Sequence, residues 1–502
     1  MKTKPIEPAS KVAARPVGPS KLTPAKTASG RNGTPPGKPR PATKEAPPSA
    51  PSAERVNAAG LVHIADDESV KALPIYYNAE LSKWYGPNGQ GGFSRLSDGH
   101  AKSLIAEHGF NKSFKDPQGN TTADRAMLYV IQHSAVAYAG ALAGYRAGCH
   151  ETACGRILVT ESPRLIEPRP GDWPVIRRLM ETQLADEGQP QVAVFYTWAS
   201  ASFRAFWQRM TEPGPWEFRY CPALAIFGPK ECGKTALIEL VLQPLFGGRK
   251  GKPMKFLREG KFNKDLFGAG LLVMDDEGAS ANLQERRQRG EAIKNLIWQE
   301  EQRLEGKGAD ALMLRPFWRL VIAGNDDDSG LQVCPALSPG LDDKLIILKA
   351  RKAEGLPTTN EENSAWTEAL RRELPAFAAF LLGYHPPDEL ELNKRSRVAL
   401  LRHPDLLAAL RDMQPEMRLL ELIDSLSLLS GAYKDKWEGS ATDFERALRG
   451  KDSSGMLDRI FTNQQAAGRM LTELADHVAP TRVTKTNWGG TSHYRIFPPK
   501  TS

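Results

Sequence analysis

The sequence predicts an α/β fold with a P-loop core, preceded by an α+β region and followed by a mostly helical region. The stretch ALAIFGPKECGKT (223–235) is an apolar strand, a Gly-containing loop and the start of a helix-forming run. LLVMDDE (271–277) is a second apolar strand followed by acids, and WRLVIAGN (318–325) is a third that ends at an amide. Strands that alternate with helical patterns are typical of a parallel-sheet domain, which we predict over 217–352.

The first 57 residues form a basic tail without aromatic residues and rich in Pro, Ala and Lys. Their net charge is +8, which equals that of the whole chain, so the remaining residues are neutral overall. Such a segment buries too little apolar surface to offset its ordering entropy, so we expect disorder. The tail is either a solubilising leader or a non-specific nucleic-acid tether.

Targeting signals are not evident in the sequence. It contains no apolar run near 18 residues and no signal-peptide core at its N-terminus. These observations predict a cytoplasmic protein without a membrane partner.

The predicted N-terminal domain, 58–216, mixes strands and helices. Aromatic and polar residues alternate around a P-N-G turn in 75–97, which predicts a hairpin. The pattern predicts helices over about 123–147 and 192–210, and a short strand over 155–162. Three potential metal ligands lie close together, but a zinc site needs about four, so ordinary thiols are the favoured interpretation: Cys149, His150 and Cys154.

The central loop fits the pattern G-x-x-x-x-G-K-S/T. Backbone N–H groups of such a loop surround phosphates at the start of a helix, so the sequence predicts an ATP site. We expect Lys234 to reach the β- and γ-phosphates and Thr235 to ligate Mg²⁺. The predicted contact residues are Gly228, Pro229, Lys230, Glu231, Cys232, Gly233, Lys234, Thr235 and Ala236.

The acids after the second strand supply the carboxylates that ATP hydrolysis requires. We favour Asp276 for the Mg²⁺ shell and Glu277 as the base that polarises water, with Asp275 as the alternative metal partner. Asn325 ends the third strand and is predicted to orient the attacking water, although Asn and Asp also favour simple turns.

The C-terminal third is predicted to be helical over 353–436. Within 437–502, two helices precede a Gly-turned hairpin, which is the order of elements in a winged helix. Winged helices bind nucleic acids or serve as protein contacts. The order of elements alone does not distinguish these two functions.

Together, the loop, the acids and the Asn resemble the core of a superfamily 3 helicase of the AAA+ class, found in viral, phage and plasmid replication proteins. DLFGAGLLVMDDE and YAGALAGYRAG also resemble the helicase half of phage-type primase-helicases. The resemblance implies a DNA-contacting hairpin within 293–325, with Lys307 of EGKGAD as its candidate residue.

The same resemblance implies a homo-oligomeric ring that moves along single-stranded DNA. In this family the ring is usually a hexamer. A separate primase or polymerase is an expected partner. The family places an Arg after the Asn motif to reach a neighbouring ATP site, whereas this chain has Lys344 there, and Lys lacks the bidentate fork of Arg. The other candidates are Arg315, Arg319 and Arg351.

Two other functions fit the same motifs. One is an AAA+ ATPase that remodels proteins or acts in phage defence. The other is a nucleotide-gated DNA-binding initiator that hydrolyses ATP slowly.

Overall fold

The computed structural model describes residues 67–499 apart from these short internal segments: 187, 213–216, 260–262, 276–282, 307–310, 427, 430–434, 453–454, 462, 464 and 489.

The described chain begins with a four-stranded sheet and three helices. Its elements are α1 (Asp67–Lys71), β1 (Tyr76–Asn78), β2 (Lys83–Pro87), β3 (Phe93–Leu96), α2 (Asp98–Glu107), α3 (Thr122–His133) and β4 (Ala135–Val136). The strand order is β3–β2–β1–β4, and β2 pairs with β3 antiparallel, which confirms the predicted hairpin. Thr121 and Asp124 form a capping box at the start of α3.

The helix predicted over 123–147 is wrong beyond His133. Strand β4 and three further strands follow instead: β5 (Tyr138–Gly140), β6 (Gly148–Thr152) and β7 (Gly155–Val159). Ala and Gly in this run mimic a buried helix, but Gly144 has φ +80° and Gly148 has φ +146°. A Cβ on Gly144 would lie 2.7 Å from Cβ of Phe317. The chain therefore turns at these glycines and passes close to the core.

A five-stranded sheet and its covering helices follow. The elements are α4 (Pro174–Gln183), α5 (Gln191–Thr211), β8 (Ala223–Phe227), α6 (Lys234–Ala236), a π-helix (Leu237–Leu242), α7 (Gln243–Leu245), β9 (Lys250–Gly251), α8 (Met254–Glu259), a 3₁₀ turn (Lys264–Leu266), β10 (Leu271–Met274), α9 (Leu283–Trp298), β11 (Gln302–Leu304), β12 (Leu312–Leu314), β13 (Arg319–Gly324), 3₁₀ turns (Gly330–Val333 and Pro339–Leu341), β14 (Leu345–Lys349), α10 (Asn360–Gly383) and α11 (Pro404–Asp412).

The sheet has the order β14–β8–β13–β10–β9, and every pair is parallel. Strands β8 and β10 are buried throughout, as expected for a parallel sheet covered on both faces. Strand β13 lies between β8 and β10, so the end of β13 separates the loop after β8 from the acids after β10.

Helices cover both faces of this sheet. Side chains in β8 alternate between the two hydrophobic clusters, with Leu224 and Ile226 on one face and Ala225 and Phe227 on the other. Helices α4, α5 and α10 contribute to the first face, and α8, α9 and α11 to the second. The packing around the sheet therefore extends to helices on either side of 217–352.

Hairpin β11–β12 packs against the N-terminal strands. Its strands pair antiparallel from Gln302 with Leu314 to Leu304 with Leu312. Leu304 and Leu314 are buried in one cluster with Tyr138 and Ile157 of the small sheet β5–β7–β6.

The C-terminal elements have a core of their own. They are α12 (Pro415–Ser425), β15 (Trp437–Ser440), α13 (Ala441–Arg449), α14 (Met456–Ile460), α15 (Ala466–Glu473), a π-helix (Leu474–Val478), β16 (Val483–Trp488) and β17 (Thr491–Ile496). The strands form an antiparallel sheet in the order β15–β17–β16. Trp437, Phe444 and Tyr494 are buried in its core.

One arginine connects α9 to this C-terminal unit. The guanidinium of Arg287 lies 3.1 Å from a carboxylate oxygen of Glu416 in α12 and 3.1 Å from one of Glu473 in α15. The Glu416 side chain is buried. None of the helices in the described ranges is both long and apolar enough to cross a lipid bilayer.

Candidate functional site

The candidate site lies at the edge of the parallel sheet where its strands end. Gly228 follows β8, Asp275 follows β10 and Asn325 follows β13. Gly324 pairs with Phe227, so Asn325 begins level with Gly228. Met274 of β10 pairs with Ile322 of β13, so Asp275 lies level with Ala323. Asp275 therefore leaves the sheet two residues before the level of Asn325. Ligands of open α/β sheets bind at this edge.

The loop after β8 starts with a close backbone contact. A Cβ on Gly228 would lie 2.3 Å from the carbonyl oxygen of Ala350, the residue that follows β14. Hydrogen bonds fix both flanks: the Gly228 N–H donates to Gly324 O at 3.3 Å, and the Ala350 N–H donates to Phe227 O at 2.6 Å. Gly at 228 is therefore required by the packing of the sheet, besides any contact with a ligand.

The loop is held in a left-handed conformation at two positions. Glu231 has φ +56° and Gly233 has φ +98°. Such a conformation is unusual for a glutamate and costs backbone strain, which the contacts around the loop must offset. Two neighbours bind the carbonyl of Cys232: Gln183 of α4 donates Nε2–H at 2.7 Å, and the N–H of Ala353 donates at 3.3 Å.

The helix after the loop consists of three consecutive segments, α6, the π-helix and α7. The Leu237 N–H donates to Gly233 O at 3.0 Å, which continues the helical hydrogen bonding from the loop. Leu237 and Val241 are fully buried against the sheet, so the helix is anchored by its apolar face. Its first N–H groups and dipole face the loop, an arrangement that suits an anion.

Lys234 folds back over the loop. Its ammonium group donates to the carbonyl oxygens of Gly228 and Pro229, both at 2.7 Å, and lies 3.5 Å from Sγ of Cys232. Thr235 is exposed at the start of the helix. The ammonium group of Lys234 thus lies above the loop, where two carbonyl oxygens accept its hydrogen bonds.

Of the three acids predicted after β10, only Asp275 lies within the described residues. Asp275 is half-buried, and its Oδ2 lies 3.1 Å from the ammonium nitrogen of Lys252, which follows β9. Asp276 and Glu277, the favoured metal partner and base, lie outside the described residues, and so do the predicted hairpin residue Lys307 and the basic tail.

Asn325 is followed by a turn with its own hydrogen bonds. Asp327 accepts from the Ser329 hydroxyl at 2.6 Å and from the Gly330 N–H at 2.8 Å, and these bonds lower the pKa of the Asp327 carboxyl. A Cβ on Gly330 would lie 2.5 Å from the Asn325 backbone nitrogen. The turn that the Asn and Asp residues favour does form, and it packs directly on the backbone of Asn325.

Two buried arginines of α9 hold the chain after this turn. Arg289 donates to the carbonyl oxygens of Gln332 at 2.9 Å and Val333 at 2.8 Å. Arg286 donates to Cys334 O at 3.1 Å. Burial lowers the pKa of both guanidinium groups. Helix α9, which begins shortly after the acids, is thereby joined to the segment beyond Asn325.

The four cations considered for a neighbouring ATP site have different surroundings. Arg319 is buried and donates to the Ser202 hydroxyl at 3.1 Å, so its guanidinium group is hydrogen-bonded within the chain. Arg351 is exposed, follows β14 at the loop edge of the sheet, and donates Nε–H to Thr182 O at 3.1 Å.

Lys344 and Arg315 lie away from that edge. Lys344 precedes β14 at the opposite end of the sheet, 2.6 Å from Asp343 and 4.5 Å from the ring centre of Trp298. Arg315 forms ion pairs with Glu300 and Glu301, both at 3.0 Å.

A second wall of the cleft was not predicted from the sequence. The loop and the start of its helix face a segment after β14 and one residue of α10, namely Lys352, Leu356, Pro357, Thr358 and Trp366. These residues lie more than 100 positions from the P-loop motif, and no local pattern connects them to it. A tryptophan within an amphipathic helix is ordinarily a packing residue.

The cysteines near residue 150 have ordinary surroundings. Cys149 is exposed, the His150 ring lies 2.8 Å from Arg146 O, and Sγ of Cys154 lies 3.0 Å from the Thr152 hydroxyl. Among the residues that the structure describes, no cluster of His, Cys, Asp and Glu could hold a metal ion.

Comparisons with known proteins support the fold. Residues 226–332 match a family model described as "Family of unknown function (DUF5906)", a span that runs from the end of β8 past Asn325. No curated protein matches the chain. The apo structure of the NrS-1 C-terminal region is similar, with a TM-score of 0.51 and 13% identity over 86% of this chain and 100% of that chain.

An A-form apo structure of the same NrS-1 region gives a TM-score of 0.48 and 13% identity over 86% of this chain and 98% of that chain. The likeness at a TM-score of 0.51 concerns the fold alone. The chain is thus a mixed α/β protein with a parallel sheet, arranged like the C-terminal region of NrS-1.

Proposed function

We propose that the chain is an ATP-driven DNA helicase or translocase of the AAA+ superfamily 3 type, acting in the replication of a phage or another mobile element. One observation carries the proposal: the glycine loop, Asp275 and Asn325 leave three adjacent parallel strands at the same edge of the sheet. Hydrolysis of a nucleoside triphosphate requires a phosphate cradle, carboxylates and a water-orienting group at one place.

The loop fits a triphosphate. Gly228 lets the loop begin in close contact with the backbone of Ala350, and Gly233 takes the left-handed conformation at its end. Lys234 places its ammonium group above the loop on two carbonyl oxygens at 2.7 Å. Phosphate oxygens are stronger acceptors for an ammonium group than neutral carbonyls. In the proposed complex, Lys234 exchanges those carbonyls for phosphate oxygens while the backbone of the loop keeps its shape.

Thr235 and the acids after β10 are the oxygen donors that would hold Mg²⁺, which prefers such ligands. When bound, Mg²⁺ neutralises negative charge on the phosphate oxygens. Asp275 already lies beside Lys252, so Asp276 stays our choice for the metal shell. Glu277 is the proposed base, and the Asn325 amide is proposed to orient the water that it polarises.

The proposed DNA contact is Lys307, between β11 and β12. Leu304 and Leu314 of this hairpin pack on the small sheet β5–β7–β6. Helix α9 precedes the hairpin and is bound by Arg289 to the segment after Asn325. A change at the nucleotide site therefore has a short covalent and hydrogen-bonded route to the hairpin. Single-stranded DNA in a ring of identical subunits is the proposed substrate.

The test combines two assays on the full chain. ATP hydrolysis is measured with and without single-stranded DNA, and strand displacement is measured on a forked duplex. We expect DNA to stimulate hydrolysis and ATP to drive displacement. Lys234→Ala should abolish both activities while the protein stays folded, and Lys112→Ala, which changes an exposed lysine of the N-terminal part, should alter neither.

Other outcomes identify other functions. Hydrolysis that ignores DNA would favour an ATPase that remodels proteins or acts in phage defence. DNA-stimulated but slow hydrolysis without displacement would favour a DNA-binding initiator. Normal turnover by the Lys234→Ala protein would remove the P-loop from the mechanism.

A further inference from the structure

The cleft beside the phosphate loop has two chemically different walls. One wall is the loop and the first turn of its helix, Glu231–Ala236, which is rich in backbone polar groups. The opposite wall contains the side chains of Leu356, Pro357 and Trp366, with Lys352 and Thr358 beside them. A phosphate chain suits the first wall, and the second wall suits a flat, apolar group.

The apolar wall lies next to the loop. The position of a Cβ on Gly233 is 3.4 Å from Cδ2 of Leu356. Trp366 and Leu356 pack on the hydrophobic core with part of their surface and line the cleft with the rest. A group attached to phosphates in the loop would therefore meet this wall without any rearrangement of the core.

The wall is also fixed in place. The Ala353 N–H donates to the loop carbonyl of Cys232 at 3.3 Å, and the Glu354 N–H donates to the Thr182 hydroxyl at 3.0 Å. At the start of α10, Glu362 accepts hydrogen bonds from the backbone and side chain of Thr358 at 2.8 and 2.9 Å. Trp366 follows Glu362 by four residues, about one helical turn.

We infer that Trp366, together with Leu356 and Pro357, forms the subsite for the nucleobase of the bound nucleotide, and that this base is a purine held mainly by stacking. This inference rests on the proposed function, since it needs a triphosphate in the P-loop. A purine presents the larger aromatic face and so covers more of the indole ring.

The same wall explains what selectivity to expect. Leu356 and Pro357 side chains carry no hydrogen-bonding group, and the Thr358 hydroxyl proton is used by Glu362 at 2.9 Å. Stacking tolerates different bases because every base has a π-face. The side chain of Trp366 should therefore matter equally for ATP and GTP, and the N–H donors of Lys352 in the same wall are the groups that would distinguish the two bases.

The experiment measures the affinity of the full chain for ATP, GTP and inorganic tripolyphosphate, which has no base, all with Mg²⁺. Trp366→Ala should weaken ATP and GTP binding about 5- to 150-fold, the range for loss of one stacked base, and leave tripolyphosphate binding unchanged. Trp366→Phe keeps an aromatic face and should retain most of the affinity. Trp488→Ala, a change at a 78% exposed tryptophan in β16, is the matched control and should have no effect.

Each other outcome overturns the inference. Unchanged ATP affinity in Trp366→Ala would remove the tryptophan from the site. An equal loss for tripolyphosphate would make its role structural. Failure of the unaltered protein to bind either ATP or tripolyphosphate would overturn the proposed function itself, a result distinct from the first two.

Discussion

Replacing Gly228 by alanine tests whether the close contact behind the phosphate loop constrains the site. The new Cβ would lie 2.3 Å from Ala350 O, whereas ordinary contacts begin at 3.4 Å, so the two strand ends must separate by about 1.1 Å. Ala350 O belongs to the backbone, so no side-chain rotation relieves the clash. The separation stretches the bond from Ala350 N–H to Phe227 O, now 2.6 Å, and distorts the bond on the other side of β8, from Gly228 N–H to Gly324 O, now 3.3 Å.

The magnitude follows from these contacts. Overpacking of this kind costs about 1–3 kcal/mol, and weakening a backbone hydrogen bond costs about 1 kcal/mol, so we expect a loss of about 3 kcal/mol in the free energy of unfolding. A displacement of about 1 Å at a catalytic site can cost about a hundredfold in rate. Gly228→Ala should therefore lose both stability and ATP turnover.

Urea unfolding and steady-state ATP hydrolysis measure the two effects. Gly99→Ala is the matched control, because nothing lies within 4 Å of a Cβ at that position in α2. We expect that change to raise the free energy of unfolding by about 0.5 kcal/mol. If Gly228→Ala unfolds at the same urea concentration as the unaltered protein and turns over ATP normally, the argument from the close contact is wrong.

Glu277→Gln should bind ATP and hydrolyse it slowly in a turnover assay, because an amide cannot accept the proton; if Asp276→Asn gives this trapped state instead, the assignment of the acids is off by one residue. Lys307→Ala should keep basal hydrolysis but lose stimulation by single-stranded DNA and unwinding, and unwinding at the normal rate would detach Lys307 from the mechanism. The Lys102 ammonium group lowers the pKa of Asp124 to about 2, so the stabilisation is fully present above the ordinary carboxyl pKa and is lost as pH falls through the lowered value. Asp124→Asn should reduce the free energy of unfolding at pH 7 by about 1 kcal/mol, and acid titration of stability should show this difference closing between about pH 4 and pH 2; a difference that persists at pH 2 would contradict the pairing.

The parts of the site that depend on neighbouring residues were predictable from the sequence. An apolar run followed by Gly, Lys and Thr predicts a strand, a phosphate loop and a helix, and the structure has β8, the loop at 228–233 and the helix from Lys234. Strands β10 and β13 were predictable for the same reason. Each pattern extends over about ten residues, within which hydrophobic periodicity determines the element.

Features that depend on distant pairings were not predictable. Strand β9 contains two residues, too few for a periodic pattern, and yet Lys252 directly after it lies beside Asp275. Trp366 lies in the cleft because α10 packs on the same face of the sheet as α5, a contact between residues about 170 positions apart in the sequence. Local propensity also failed beyond His133, where the helix-like composition already forms β4 and β5 before the first glycine with positive φ, Gly144.

The position of Arg287 limits how the protein can be shortened. Its guanidinium group binds Glu416 and Glu473, which come from two different helices of the C-terminal unit, α12 and α15. A recombinant fragment that stops after α11 would leave this cation without both carboxylates, and a fragment that starts at α12 would carry a carboxylate that is 5% exposed in the whole protein. The Arg287 side chain is 37% exposed, so water offsets part of its loss, whereas the buried Glu416 carboxylate loses its ion-pair partner. When they are co-expressed, a piece that ends after α11 and a piece that begins at α12 should therefore stay associated in a pull-down, and either piece expressed alone should aggregate.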